Sequence, residues 1–202
     1  MKKWMLLTVI LSFLFLLASC SFRGMQGESF TAENIPDEPP KDEIITAIKQ
    51  SANDEMDDII ESNFPEMLTV EGDGNNAEVF ATKQFNLTEL SSVLSETIEP
   101  EEISDVKDDQ QILIYPDDFI TLRESEEDQD VLLIEVASDE FVRRNYSPNF
   151  LSTYFAMSLL GNMLDVNDWG SRRQGNYKGM GSLNVPHRGN TTFRGGGPGV
   201  GK

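Results

Sequence analysis

Apolar positions along this chain switch repeatedly between helical and alternating spacing. Ile45, Ile48, Ala52, Met56 and Ile59 recur at intervals of 3, 4, 4 and 3, which predicts one amphipathic helix from Asp42, closed by Phe64-Pro65. Met67 to Glu71 and Glu78 to Thr82 predict a hairpin around the Gly72 to Asn76 turn. Leu87, Leu90, Leu94 and Ile98 predict a second helix, capped at Asn86 or Thr88. An acidic loop follows from Glu99 to Gln110, and then three strand segments: Gln111 to Tyr115, Phe119 to Arg123 and Val131 to Ala137. Ser138-Asp139-Glu140 opens a third helix, and Asn149 to Leu164 reads as a fourth.

That last stretch is the most apolar after the N-terminus, but its 16 residues include Ser152, Thr153, Ser158 and Asn162. A spanning helix needs roughly 20 apolar residues, so it reads as a core helix on the sheet. The alternative is an aromatic face that meets a bilayer or a partner. The fold class is α+β: a small, mostly antiparallel sheet of about five strands with about four helices, occupying residues 42–168.

The ends follow other rules. Lys2 and Lys3 precede a 15-residue apolar run, Trp4 to Ala18, which ends in Leu17-Ala18-Ser19-Cys20. A positive start and a run too short to span describe an export signal. Residues 20–41, with Gly24, Gly27, Pro36, Pro39 and Pro40, read as a flexible tether. Residues 169–202 hold 10 of the 15 glycines, six Lys or Arg and no acid, and read as a disordered Gly-rich basic tail.

The charge is segregated accordingly. The chain carries −19 overall, yet the tail carries +6 and residues 21–168 carry −27. So acidic a body is repelled by phosphate backbones, which excludes nucleic acid as its partner. In the tail, Arg172, Arg173, Lys178, Arg188 and Arg194, interleaved with Tyr177 and Phe193, are the candidate contacts to an anionic partner such as a wall polymer, an anionic headgroup or an envelope protein.

Little catalytic chemistry is legible. One Cys and one His exclude disulfide frameworks and multi-ligand zinc sites. His187 lies in the Gly-rich tail, where nothing rigid orients it as a base. Gly196 to Lys202 satisfies the G-x₄-G-K spacing, but no Ser or Thr follows to hold Mg²⁺ and no strand precedes it. The carboxylate clusters fail the EF-hand pattern: from Asp73, Ala77 and Glu78 occupy the fifth and sixth positions. No catalytic residue, metal site or cofactor is assigned. Arg143-Arg144 is read as pairing with nearby acids, the alternative being a binding contact.

Leu17-Ala18-Ser19-Cys20 resembles the lipobox of bacterial lipoproteins. The resemblance implies lipid attachment to the Cys20 sulfur and signal cleavage between Ser19 and Cys20, making residues 1–19 a signal peptide. Two acyl chains anchor durably where one is marginal. With the acidic middle and the Phe193-Arg194-Gly195-Gly196-Gly197-Pro198-Gly199-Val200-Gly201-Lys202 ending, the chain looks like a family of uncharacterised lipoproteins of Gram-positive bacilli, known as a domain of unknown function. The resemblance implies the outer face of the cytoplasmic membrane and supplies no mechanism. The expected role is a lipid-anchored, non-enzymatic binding or adaptor protein of the cell envelope. The alternative is a carboxylate-dependent envelope hydrolase with a wall-binding tail.

Overall fold

The computed structural model describes residues 30–72, 74–164 and 175–180. Its framework is one antiparallel sheet of β1 (Glu66–Glu71), β2 (Asn76–Thr82), β3 (Glu102–Ile103), β4 (Gln110–Ile114), β5 (Asp118–Glu124) and β6 (Leu132–Ser138). The strand order is β1-β2-β6-β5-β4-β3. The expected α+β class therefore holds, and so does the hairpin, in which Glu71 faces Asn76.

β6 shows why the sheet is covered on both sides. Side chains alternate along a strand, yet both sets on β6 are mainly apolar. Leu132, Ile134 and Val136 pack with α1 (Lys41–Lys49), α2 (Met56–Asn63) and α3 (Leu87–Thr97). Leu133 and Ala137 pack with α4 (Asp139–Asn145), α5 (Pro148–Leu151) and α6 (Met157–Met163). Between them on the second face stands Glu135, completely buried.

Of the two positions open for the second cap, Asn86 is the one used. Its side chain accepts from the Glu89 N–H at 2.9 Å, and Glu89 Oε2 accepts from the Asn86 N–H at 3.3 Å. This reciprocal box closes two of the donors a helix start leaves open. Ser138 likewise accepts from the Phe141 N–H at 3.2 Å and starts α4.

Several expectations need correction. The helix predicted from Asp42 is two helices, with residues 50–55 between them. Ser51, Asn53 and Asp54 compete for backbone hydrogen bonds and disfavour a helix interior; the Ser51 hydroxyl accepts from the Asn53 N–H at 3.2 Å. Ala52, one of the periodic positions, is exposed, while Ile44 and Ile60 are buried. The fourth helix also divides, into α5 and α6. There the Ser152 and Thr153 hydroxyls both turn back onto the Asn149 carbonyl, at 3.0 and 3.2 Å. It is a core element as read, through Leu151, Phe155, Leu160 and Leu164. The acidic loop contains β3, which adds a sixth strand at the sheet edge.

Both flanking segments reach into the domain. Phe30 and Ile35, assigned to the tether, are buried in the α4–α6 face. The Ser125 hydroxyl donates to the Phe30 carbonyl at 2.7 Å, and the Ala32 N–H donates to Asp128 at 2.9 Å. The reading of residues 169–202 as a disordered tail does not hold for 175–180, because Tyr177 and Met180 are buried in the same core. Composition hid both, since a few apolar residues in a Gly- or Pro-rich run look unable to offset their ordering entropy. Among the described residues, no helix is long and apolar enough to cross a membrane.

Candidate functional site

Register places a line of polar side chains on the α4–α6 face. Gln110 of β4 lies opposite Arg123 of β5, and Thr121 of β5 lies opposite Glu135 of β6. Because Thr121 and Arg123 are two apart, they share a face, and the line runs from the middle of the sheet to its β4–β5 end.

At the inner end, Glu135 is held by three donors. The Tyr177 hydroxyl donates to Oε2 at 2.6 Å; the Met180 N–H donates to the same oxygen, and the Tyr146 hydroxyl donates to Oε1. Thr121 Oγ1 lies 3.5 Å from the Tyr146 hydroxyl. The two tyrosine rings meet edge to face at 5.0 Å, and Phe141 closes on Tyr177 at 5.5 Å. Burial pushes the Glu135 carboxyl above the ordinary carboxylate range, against the opposite pull of these donors and of the Arg123 charge. Burial and the neighbouring Glu135 push the Tyr146 phenol well up.

Glycine lets the chain make this arrangement. A Cβ on Gly175 would stand 2.4 Å from the Tyr146 carbonyl oxygen, and Gly179 takes φ +90° before Met180 turns its N–H to the carboxyl. Tyr177 joins Tyr146 in a short parallel bridge, with the Ser147 N–H donating to the Tyr177 carbonyl at 2.8 Å.

At the outer end the line opens into a cleft of about 530 Å³, within the roughly 300–1,000 Å³ of small-molecule sites. Gln110 and Arg123 line it, with Lys178, the half-buried rings of Phe150 and Tyr154, and the carboxylates of Asp108, Asp109, Glu124 and Glu126. Asp108 and Asp109, with φ of 50° and 55°, form the tight turn between Lys107 and Gln110. Its tip is tied to the α5–α6 turn: Lys107 Nζ donates to the Thr153 carbonyl at 2.5 Å and the Tyr154 hydroxyl donates to the Lys107 carbonyl at 3.3 Å.

Two donors on the wall are unmet. Gln110 is 3% exposed, and neither its Nε2 nor Arg123 Nε has a hydrogen-bond partner among the described residues. A buried donor left open costs about 1–3 kcal/mol, and each such group in a folded protein calls for an explanation. Arg143 and Arg144, by contrast, pair with Asp139 (3.3 Å) and Glu140 one turn away, as read from the sequence.

Of the residues assigned from sequence, Lys178 is on the cleft rim. Ser19, Cys20, Arg172, Arg173, Arg188 and Arg194 lie outside the described residues, as does His187. Gln110, Arg123 and Glu135 escaped the reading. Glu135 had a signal: it is the lone charge in the run Val131 to Ala137. Among the described residues, no group of three or more His, Cys, Asp or Glu is placed to hold a metal ion.

No curated protein and no solved structure matches this chain. A family model does match, over residues 44–202, and covers the sheet, both helical faces and every residue of the cleft. The chain belongs to the family described as a domain of unknown function, DUF4247.

Proposed function

We propose that this protein is a lipid-anchored binding protein of the cell envelope, acylated at Cys20, outside the cytoplasmic membrane, and that its ligand sits in the β4–β5 cleft. The anchor rests on Leu17 to Cys20 behind a positive, apolar start. The binding role is carried by one observation: Gln110, nearly fully buried, lines the cleft, and its Nε2 has no partner among the described residues. A ligand acceptor would recover what that burial costs.

The docked N-terminal segment sets the geometry of this reading. Ser125, on the cleft wall, holds the Phe30 carbonyl. The ten steps from Cys20 to Phe30 reach at most about 36 Å, which keeps the cleft close to the bilayer. Arg172, Arg173, Arg188 and Arg194 supply a second contact, to an anionic wall polymer or envelope protein, and Lys178 itself stands on the cleft rim. Binding is favoured over hydrolysis because Asp118, whose carboxyl is pushed up to about 7, stands at the opposite end of β5 from the cleft, and Glu135, completely buried, does not line it.

A palmitate analogue fed to cells should label the wild type and leave Cys20→Ala unlabelled and released from membranes. A photo-crosslinker replacing exposed Gln129 on the cleft rim should form an envelope adduct that Gln110→Met diminishes. An unlabelled wild type overturns the anchor, and an adduct indifferent to Gln110→Met overturns the cleft.

A further inference from the structure

The cleft's chemistry narrows its ligand. Two donors, Gln110 Nε2 and Arg123 Nε, lack partners among the described residues and call for acceptor oxygens. A purely cationic or aliphatic ligand leaves both unmet. The carboxylates around the cleft outnumber its cations four to two, on a chain of net charge −19. A polyanion entering there meets repulsion from the rim and from the whole body. The ligand must therefore offer acceptors to the wall and donors to the rim while carrying no net charge.

Shape adds a further condition. Phe150 and Tyr154 present half-buried rings whose centroids are 5.3 Å apart at 61°, a broken aromatic surface suited to C–H groups rather than to a flat stacked base. Amide, guanidinium and carboxylate are planar groups that present two or more polar atoms side by side. That pattern matches adjacent hydroxyls or an acetamido group on a ring. A sugar ring has such hydroxyls around its edge and C–H bonds on its face.

We propose that the cleft binds neutral sugar residues, hexose or N-acetylhexosamine, of an envelope glycan. This rests on the cleft being the protein's binding site. The acceptor oxygens meet Gln110 and Arg123, the hydroxyl hydrogens meet the rim carboxylates, and the C–H face lies against Tyr154 and Phe150.

The test is calorimetry on the lipidated protein in nanodiscs, with three probes: neutral N-acetylglucosamine oligomers, an oligouronate and an oligolysine peptide. The neutral oligomers should bind with an affinity that changes little between low and high salt, since screening acts on charge pairs. Tyr154→Ala and Gln110→Met should each weaken that binding about ten-fold or more, the latter as expected for losing one buried hydrogen bond. Thermal melts of both variants show whether each remains folded; Tyr154 is half-exposed, so its variant reports even where Gln110→Met does not fold. Neutral oligomers that fail to bind, or that bind both folded variants as tightly as wild type, overturn the proposal. Oligouronate or oligolysine binding that Tyr154→Ala abolishes overturns the sugar class alone and leaves the cleft as the binding site. Silence from all three probes overturns both.

Discussion

The two faces of the sheet are each covered by three helices, yet they are built on different principles. The α1–α3 face buries Ile48, Ile59, Leu90, Leu94 and Ile134 together and holds no fully buried carboxylate among the described residues. The α4–α6 face buries a comparable apolar set but sinks Glu135 into it, surrounds that carboxyl with hydroxyls, and leaves Gln110 and Arg123 with open donors at the edge. A buried polar network stabilises only when each member is satisfied. Both faces hold an unpartnered buried polar atom, the Tyr115 hydroxyl on the α1–α3 side, but only the α4–α6 face combines a fully buried carboxyl with a cleft. The cleft and the fully buried carboxyl thus share one side of the sheet.

The largest effect should come from breaking the dry face. Leu90 is fully buried, and Leu90→Ala should cost about 2–5 kcal/mol, the range for an emptied core position. Urea unfolding gives the loss, while amide exchange at Tyr177 and Met180 should stay slow relative to the rest of the domain. An intermediate effect is expected on the wet face. Glu135→Gln keeps the shape but turns an NH₂ toward groups that only donate to the carboxylate. It should cost about 1–3 kcal/mol and speed exchange at Tyr177 and Met180 before the strands open. Equal protection of that segment in both variants would erase the distinction between the faces.

The smallest effect lies where the faces meet, at Asp118. Glu55 and Asp57 approach from the α2 side and Asp139 from α4, with Asp117 alongside; burial, the largest cause, and these charges push Asp118 up to about 7. A carboxyl whose folded pKa exceeds its unfolded value binds more protons folded than unfolded, so stability falls as pH rises from about 4 to about 7. Asp118→Asn removes that slope. It should stabilise by about 1–2 kcal/mol above pH 7, discounted for the solvent that still reaches the group, and by nothing near pH 4. Melting temperatures of both proteins across that range decide it.

Much of the sheet was legible because its strands are bounded by clear turns, at Gly72 and around Asp117, and because Asn86 and Ser138 announce their helices. Where sequence spacing misled, a competing local interaction won. The Ile45-to-Ile59 rhythm ran straight through Ser51 and Asn53, whose hydroxyl and amide chemistry ends a helix. β3, two residues long, has no pattern of its own and exists because Ile103 pairs with Leu113. The candidate site was the least legible part. Gln110, Arg123 and Glu135 are separated along the chain and become neighbours only through strand register, which no local spacing encodes. The burial of Tyr177 depends likewise on a carboxyl 42 positions earlier.

That separation has a consequence for the order in which the molecule can be finished. Synthesis delivers β6 and Tyr146 well before Tyr177 and Met180, and N-terminal parts fold first as they emerge. Until the later residues arrive, Glu135 has one of its three donors, Ser147 lacks the partner for its N–H, and the cleft lacks Lys178 on its rim. The buried carboxyl thus acts as a completion mark: the domain can assemble its sheet early, but the cleft takes its final form only when the last described stretch of the chain comes home.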